Sequence, residues 1–130
     1  MLKSKTIQFS DFSTDWYIKW SRILKQQKGL YGIRYHNKGW QNAIILQAAY
    51  ERGVIVPVNN ALGFGVGIER ILSALAHLGM NVTATVQDFV NGQKAGWHNG
   101  QLAHKASDLN KFKYVIRGSL TTMFITRTVT

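Results

Sequence analysis

The chain has 130 residues with 45% apolar side chains, which is enough to bury a core and excludes global disorder. Its 16 Lys and Arg against 6 Asp and Glu give a formal charge of +10, which predicts a polyanionic partner, with nucleic acid ahead of an anionic membrane surface. The absence of cysteine excludes disulfides and thiolate metal sites, and no apolar stretch approaches the roughly 20 residues that span a bilayer.

Residues 1–12 are predicted to form an extended arm, because their apolar side chains follow no helical period. The arm carries Lys3 and Lys5 together with Phe9 and Phe12. A frayed terminus and an arm that becomes ordered on a partner both fit this pattern. The choice stays open, although the two phenylalanines need a surface to pack on.

A first helix is predicted from Thr14 to Gln27, with Ser13 or Thr14 as its cap. Its cations recur every three residues and therefore form one basic ridge: Lys19, Arg22, Lys25 and Lys28. A solvated helix face is the plain alternative. No carboxylate is interleaved with the four cations, which favours a surface that faces phosphates.

Residues 29–39 form a predicted connector that mixes Tyr31 and Tyr35 with Arg34, His36 and Lys38. Aromatic and cationic side chains in one segment are typical of surfaces that track a nucleic-acid backbone or stack on bases. The alternative is a loop that packs on the core through its two tyrosines.

A second helix is predicted from Trp40 to Glu51 and ends at Gly53. It is apolar on nearly every side, which indicates burial in a core or in a subunit contact. Because a chain of this length has few ways to surround such a helix, the pattern favours an oligomer. Residues 54–58 follow as an extended connector, since Pro57 cannot donate a hydrogen bond within a sheet.

The predicted central helix spans residues 63–79, with Asn60 able to cap its start and Gly79 as the left-handed residue that ends it. Its first turn contains Gly63, Gly65 and Gly67, which would admit a closely packed backbone, so Gly65→Leu is expected to block assembly. A further helix over residues 82–90 completes a helix-turn-helix.

The remaining segments complete the predicted fold. Residues 108–124 favour a helix, although their threonines leave a strand open. The predicted fold class is all-α, a helix-turn-helix bundle with an extended N-terminal arm. Residues 1–12 form the arm in this prediction, and residues 13–130 form a single helical domain.

No catalytic or metal-binding pattern is present, and no cofactor is expected. The four histidines lie at no ligand spacing, and the six acids form no evident pair. The run from Gly63 to Arg70 resembles the third signature motif of class II aminoacyl-tRNA synthetases, which would place Arg70 on ATP, but the large sheet and second arginine motif of that family are missing. The same run is no dinucleotide fingerprint, because no clear strand precedes it.

The chain also resembles the coat proteins of filamentous archaeal viruses of the rudivirus and lipothrixvirus kind. The resemblance rests on the glycine turn Gly63–Val66, the apolar helix from Ile68 to Gly79, the polar turn from Asn91 to Gly100 and the N-terminal segment Trp16–Trp20. It implies a virion protein that dimerises with itself or a sister coat protein. Such a protein wraps double-stranded DNA, holds it in A-form within a helical capsid, and can contact an envelope membrane.

The sequence therefore predicts a structural, non-enzymatic protein that coats double-stranded DNA through phosphate contacts. The residues expected to bind nucleic acid are Lys3, Lys5, Lys19, Arg22, Lys25, Lys28, Arg34, Lys38, Arg52 and Arg70. A small regulator that uses the helix-turn-helix is the alternative, although its second helix carries no basic residue. An enzyme with a site that the sequence does not reveal is a further alternative.

Overall fold

The computed structural model describes residues 2–26, 35–67, 69–87, 93–96, 103 and 105–125. The chain divides into two compact units, Met1–Ile55 and Val56–Thr130. The described part of the first unit is helical, whereas the second is built on a three-stranded parallel sheet. The prediction of an all-α protein is therefore wrong, and the fold is mixed α/β.

The first unit is a pair of helices, α1 (Asp15–Ile23) and α2 (Asn37–Glu51), preceded by a 3-10 helix (Phe9–Ser13). Thr14 caps α1 as predicted, because its hydroxyl oxygen accepts from the Tyr17 amide at 3.4 Å. The core between the two helices consists of Phe12, Tyr17, Trp20, Leu24, Trp40, Ala43 and Leu46. Each of the larger apolar side chains contributes about 1.5–3 kcal/mol by leaving water.

Helix α2 is only partly covered within the chain. Trp40, Ala43 and Leu46 are buried, whereas Ile45 is 54% exposed and Tyr50 is 52% exposed. The apolar character of this helix is therefore only partly explained by the core of the first unit. The prediction that α2 also serves a subunit contact stays a prediction.

The N-terminal segment is attached to α2 near both of its ends. The Leu2 amide donates to Glu51 Oε2 at 2.6 Å, and the Trp40 indole donates to Asp11 Oδ2 at 3.2 Å. A hydrogen bond from the Gln47 side chain, together with the Leu2 amide, holds the pKa of Glu51 below its ordinary value. Leu2 and Asp11 thus connect the N-terminal segment to α2.

The second unit contains strands β1 (Asn60–Gly63), β2 (Asn81–Gln87) and β3 (Ser119–Ile125), in the order β1-β2-β3 and all parallel. Helix α3 (Arg70–His77) connects β1 to β2, and α4 (Ala106–Leu109) precedes β3. A parallel pair requires such a crossover.

The predicted helix-turn-helix is wrong, because β2 occupies most of the second predicted helix, residues 82–90. Val82, Ala84 and Val86 are almost fully buried and alternate with Thr83 and Thr85. Alternation of this kind, with β-branched side chains, is the pattern of a strand. The predicted helix over residues 108–124 is also wrong, since the chain is extended from Ser119.

The predicted central helix, residues 63–79, begins seven residues too early, because β1 runs from Asn60 to Gly63 and α3 begins only at Arg70. Gly79 does end the helical segment with a φ of +97°, as predicted. Gly65 has a φ of +56°, and no atom of the described residues lies within 4 Å of the position of an added Cβ. A glycine at this position therefore serves the turn, and no described backbone packs as closely on Gly65 as the sequence predicts.

The apolar face of the sheet packs on α3. A Cβ at Gly63 would lie 3.0 Å from the Leu72 side chain, and Gly63 pairs with Ala84 on β2. On the opposite face, Thr83 is partly exposed and Leu62 is 54% exposed. Thr85 lies on this opposite face as well but is buried, so only part of that face is exposed.

Candidate nucleic-acid interface

The predicted basic ridge is interrupted, because α1 ends before Lys25. Lys19 and Arg22 lie exposed on α1, but the helix ends at Ile23 and Lys25 follows with a φ of +52°. Lys28 lies outside the described residues. The three described cations are exposed and close in sequence, but the turn at Lys25 breaks the helical spacing that placed it with the other two.

Lys19 lies over two aromatic rings. Its Nζ is 3.7 Å from the centre of the Tyr50 ring and 4.6 Å from the centre of the Trp20 ring. The Trp20 indole also donates to Gln47 Oε1 at 2.7 Å, which orients the tryptophan. This contact holds the Lys19 charge at the surface between α1 and α2, and such contacts contribute about 0.5–1 kcal/mol at exposed sites.

Lys5 of the arm forms an ion pair with the buried Asp11, whereas Lys3 is exposed. Asp11 is 3% exposed and also accepts hydrogen bonds from the Gln8 amide and the Trp40 indole. Burial raises the pKa of Asp11, but these hydrogen bonds and the Lys5 charge outweigh it and hold the pKa below its ordinary value. Part of the Lys5 charge is thus used within the fold.

Asp11→Asn is expected to lower the free energy of unfolding of the first unit by about 1–3 kcal/mol, because it removes a charged acceptor from buried donors. Urea unfolding followed by tryptophan fluorescence measures this loss, since Trp16, Trp20 and Trp40 all lie in that unit. Asp15→Asn makes the same chemical change at an exposed position in α1 and should cost less than about 1 kcal/mol.

The sign of the pH dependence follows from the lowered pKa of Asp11. The ionised Asp11 carboxylate stabilises the fold fully above the pKa that Asp11 has in the unfolded state, near 4. This stabilisation is lost as the pH falls through the lower pKa that Asp11 has in the folded state. The difference between the wild type and Asp11→Asn should therefore shrink in that acidic range. A difference that stays constant down to pH 2 would contradict the assigned role of the carboxylate.

Lys38 lies exposed in the first turn of α2, where its amide donates to His36 Nδ1 at 3.1 Å. The first turn of α2 contains no acid, so the positive end of the helix dipole is not neutralised there. Tyr35 and His36, just before the helix, are exposed as well. Arg34 lies outside the described residues.

The last two predicted residues belong to different units. Arg52 follows α2, is exposed, and donates to the Ala48 carbonyl at 3.4 Å. Arg70 starts α3 in the second unit, where its guanidinium carbon lies 3.8 Å from the centre of the Phe112 ring. Burial raises the pKa of the neighbouring Tyr114 to about 12, although the Arg70 charge acts in the opposite direction. This tyrosine is therefore neutral at physiological pH.

The glycine run connects a strand to a helix, an arrangement that the sequence did not reveal because β1 is short. Phosphate-binding turns of this type aim their free amides at the ligand. Here the Gly65 amide donates to the Thr85 hydroxyl and the Val66 amide to the Thr85 carbonyl, both at 2.9 Å. These two amides point into the fold, so they do not form a phosphate cradle.

Sequence reasoning missed an aromatic pair on the surface of the first unit. The rings of Phe9 and Tyr35 are stacked, with centroids 5.0 Å apart and planes inclined by 17°. Phe12 meets the Tyr35 ring edge-on at 5.1 Å and is itself buried. No local pattern could have joined Phe9 to Tyr35, because they are far apart in sequence.

Within the described residues, no group of His, Asp and Glu side chains is placed to hold a metal ion. In the same part of the chain, no helix has the length and apolar character needed to cross a membrane. Comparison of the chain with models of known protein families, with curated proteins and with solved structures finds no match in any of the three.

Proposed function

We propose that this protein binds double-stranded DNA through contacts with phosphates, independently of base sequence, and coats it. The observation that carries the proposal is the charge balance, because six acids leave at least ten of the 16 cations without a carboxylate. A protein with such an excess repels itself unless a polyanion neutralises it. DNA is the polyanion that the resemblance to filamentous coat proteins implies.

The placement of the cations supports the proposal. Residues 1–55 carry nine Lys and Arg against three Asp and Glu. One of these acids, Asp11, is buried and paired with Lys5. Lys19, Arg22 and Lys25 are exposed within one short stretch of the first unit. Exposed cations in this density suit phosphates, which carry no sequence information.

Salt titration of DNA binding tests the proposal. The logarithm of the affinity should fall linearly with the logarithm of salt concentration, by about 0.9 for each phosphate contacted. Affinities for several unrelated duplexes should agree closely at each salt concentration. A strong preference for one duplex, or no binding at low salt, would refute the proposal.

The proposal includes assembly of the coat into a helical filament. The exposed Ile45 and Tyr50 of α2 support a contact between copies. The parallel sheet, however, departs from the helical fold that the resemblance implied. Electron microscopy of the protein mixed with double-stranded DNA should show filaments of uniform diameter, and bare DNA with scattered particles would remove the coating part of the proposal.

The alternative of a helix-turn-helix regulator loses its structural basis. The segment that would have been the recognition helix is β2, and its Val82, Ala84 and Val86 side chains are buried. A recognition helix has to enter the major groove with exposed polar residues. No element of the described second unit offers that arrangement at residues 63–87.

A further inference from the structure

We infer that the Phe9–Tyr35 pair is a stacking platform for an unpaired nucleobase, so that the protein binds single strands more tightly than phosphate contacts alone allow. This inference rests on the proposed function and adds a base contact to it. Its first support is geometric, because the two rings are nearly parallel, with a 5.0 Å centroid separation and a 17° angle. A base placed on Phe9 would continue the stack as a third layer.

The platform is exposed and fixed in orientation at the same time. Phe9 is 77% exposed and Tyr35 is 57% exposed. The Tyr35 ring is held edge-on by Phe12, which is 5% exposed and packs edge-on against Tyr17 as well. A ring held in place by a buried neighbour loses little freedom when a ligand stacks on the pair.

The charges near the platform in sequence suit a nucleic-acid strand. Lys3 lies on the segment that carries Phe9, and Lys38 follows Tyr35 by three residues. The acid closest to Phe9 in sequence, Asp11, is buried and paired. Cations around exposed aromatic rings form the usual binding surface for single strands, because the rings take the bases and the cations take the phosphates.

The test compares two oligonucleotides with equal charge. One is an oligothymidylate, and the other has the same length and phosphates but contains only abasic sites. The wild-type protein should bind the first about 5- to 150-fold more tightly, which corresponds to one stacked base. Phe9→Ala should remove this preference and leave the affinity for the abasic strand and for duplex DNA unchanged, whereas Phe9→Tyr should retain most of it.

Phe64→Ala is the matched control, because Phe64 is a phenylalanine of equal exposure, 78%, in the second unit. It should leave the preference for the base-bearing strand intact. Circular dichroism and sedimentation of Phe9→Ala should match the wild type, since so exposed a side chain adds little to the core. A change in oligomeric state would show instead that the pair is a contact between copies.

The outcomes separate this inference from the proposed function. Equal wild-type affinities for the two strands, with a steep salt dependence, would overturn the stacking platform and keep the phosphate contacts. The platform would also be overturned if Phe9→Ala lost as much affinity for the abasic strand or the duplex as for the oligothymidylate. Phe9 would then affect binding through the fold and not through a base. Failure to bind either strand or the duplex at low salt would remove the proposed function and the platform together.

Discussion

Replacing Lys19, Arg22 and Lys25 together by glutamine is expected to flatten the slope of log affinity against log salt by roughly 2 to 3 units. Each lysine or arginine that lies on a phosphate displaces a condensed counterion from the duplex, so its removal reduces the number of ions released. The loss should be equal on unrelated duplexes. Fluorescence anisotropy at several salt concentrations measures the slope.

The triple substitution should disturb the fold only slightly. Arg22 is exposed, and glutamine at Lys25 meets the same left-handed backbone with a side chain of similar shape. Lys19 loses its contact with Trp20 and Tyr50, at about 0.5–1 kcal/mol. Weakened binding in a folded protein can therefore be assigned to the lost charges.

A second triple variant, Lys111→Gln, Lys113→Gln and Arg117→Gln, is the charge-matched control. These three exposed cations lie in the second unit, and Lys113 also has a positive φ, of 57°. If the three cations of the first unit touch DNA, the control should change the slope by far less. Equal changes in both variants would mean that only net charge matters, and an unchanged slope in the first would exclude this surface.

Gly118→Ala is expected to destabilise the second unit by about 3 kcal/mol or more, or to prevent its folding. A Cβ at this position would lie 2.0 Å from the Met80 carbonyl oxygen and 2.7 Å from the Gly79 carbonyl carbon. These are backbone atoms, so they cannot move aside as a side chain can. The Gly118 amide donates to the Ala76 carbonyl at 3.0 Å and the Ser119 amide to the Met80 carbonyl at 3.1 Å, and a shift would break both bonds.

Amide hydrogen exchange of β2 and β3 measures the effect, because these strands pair along their full length from Asn81 to Gln87. Gly65→Ala is the control in the same unit. Its added methyl group meets no atom of the described residues within 4 Å, and the positive φ of 56° costs about 1–2 kcal/mol. If the amides of β2 and β3 exchanged no faster in Gly118→Ala than in Gly65→Ala, the tight approach of residue 118 to the backbone that leads into β2 would be disproved.

The helices of the first unit could be predicted from the sequence because local signals define them. Thr14 supplies a cap, and the apolar positions of α1 recur at helical spacing. The strands were missed because β1 has only four residues and a parallel sheet joins segments that are far apart in sequence. The helix predicted over residues 82–90 overlaps β2, where alternating Val and Thr residues follow the pattern of a strand.

The candidate site, too, could be predicted only where local spacing defines it. Spacing alone identified Lys19 and Arg22 as neighbours, because both lie within α1. It failed at Lys25, since a turn with a positive φ cannot be seen in a three-residue period. The burial of Asp11 and the stacking of Phe9 on Tyr35 depend on contacts between residues far apart in sequence, and no local pattern encodes such contacts.

The strand order of the sheet also constrains how the second unit matures on the ribosome. Strand β2 is the central strand, but its partner β3 lies beyond residues 88–118. At a synthesis rate of about 5–20 residues per second, one side of β2 would remain without its partner for a few seconds. During that interval the backbone donors and acceptors of Val82–Val86 form an open edge, which another nascent chain could pair with before β3 arrives.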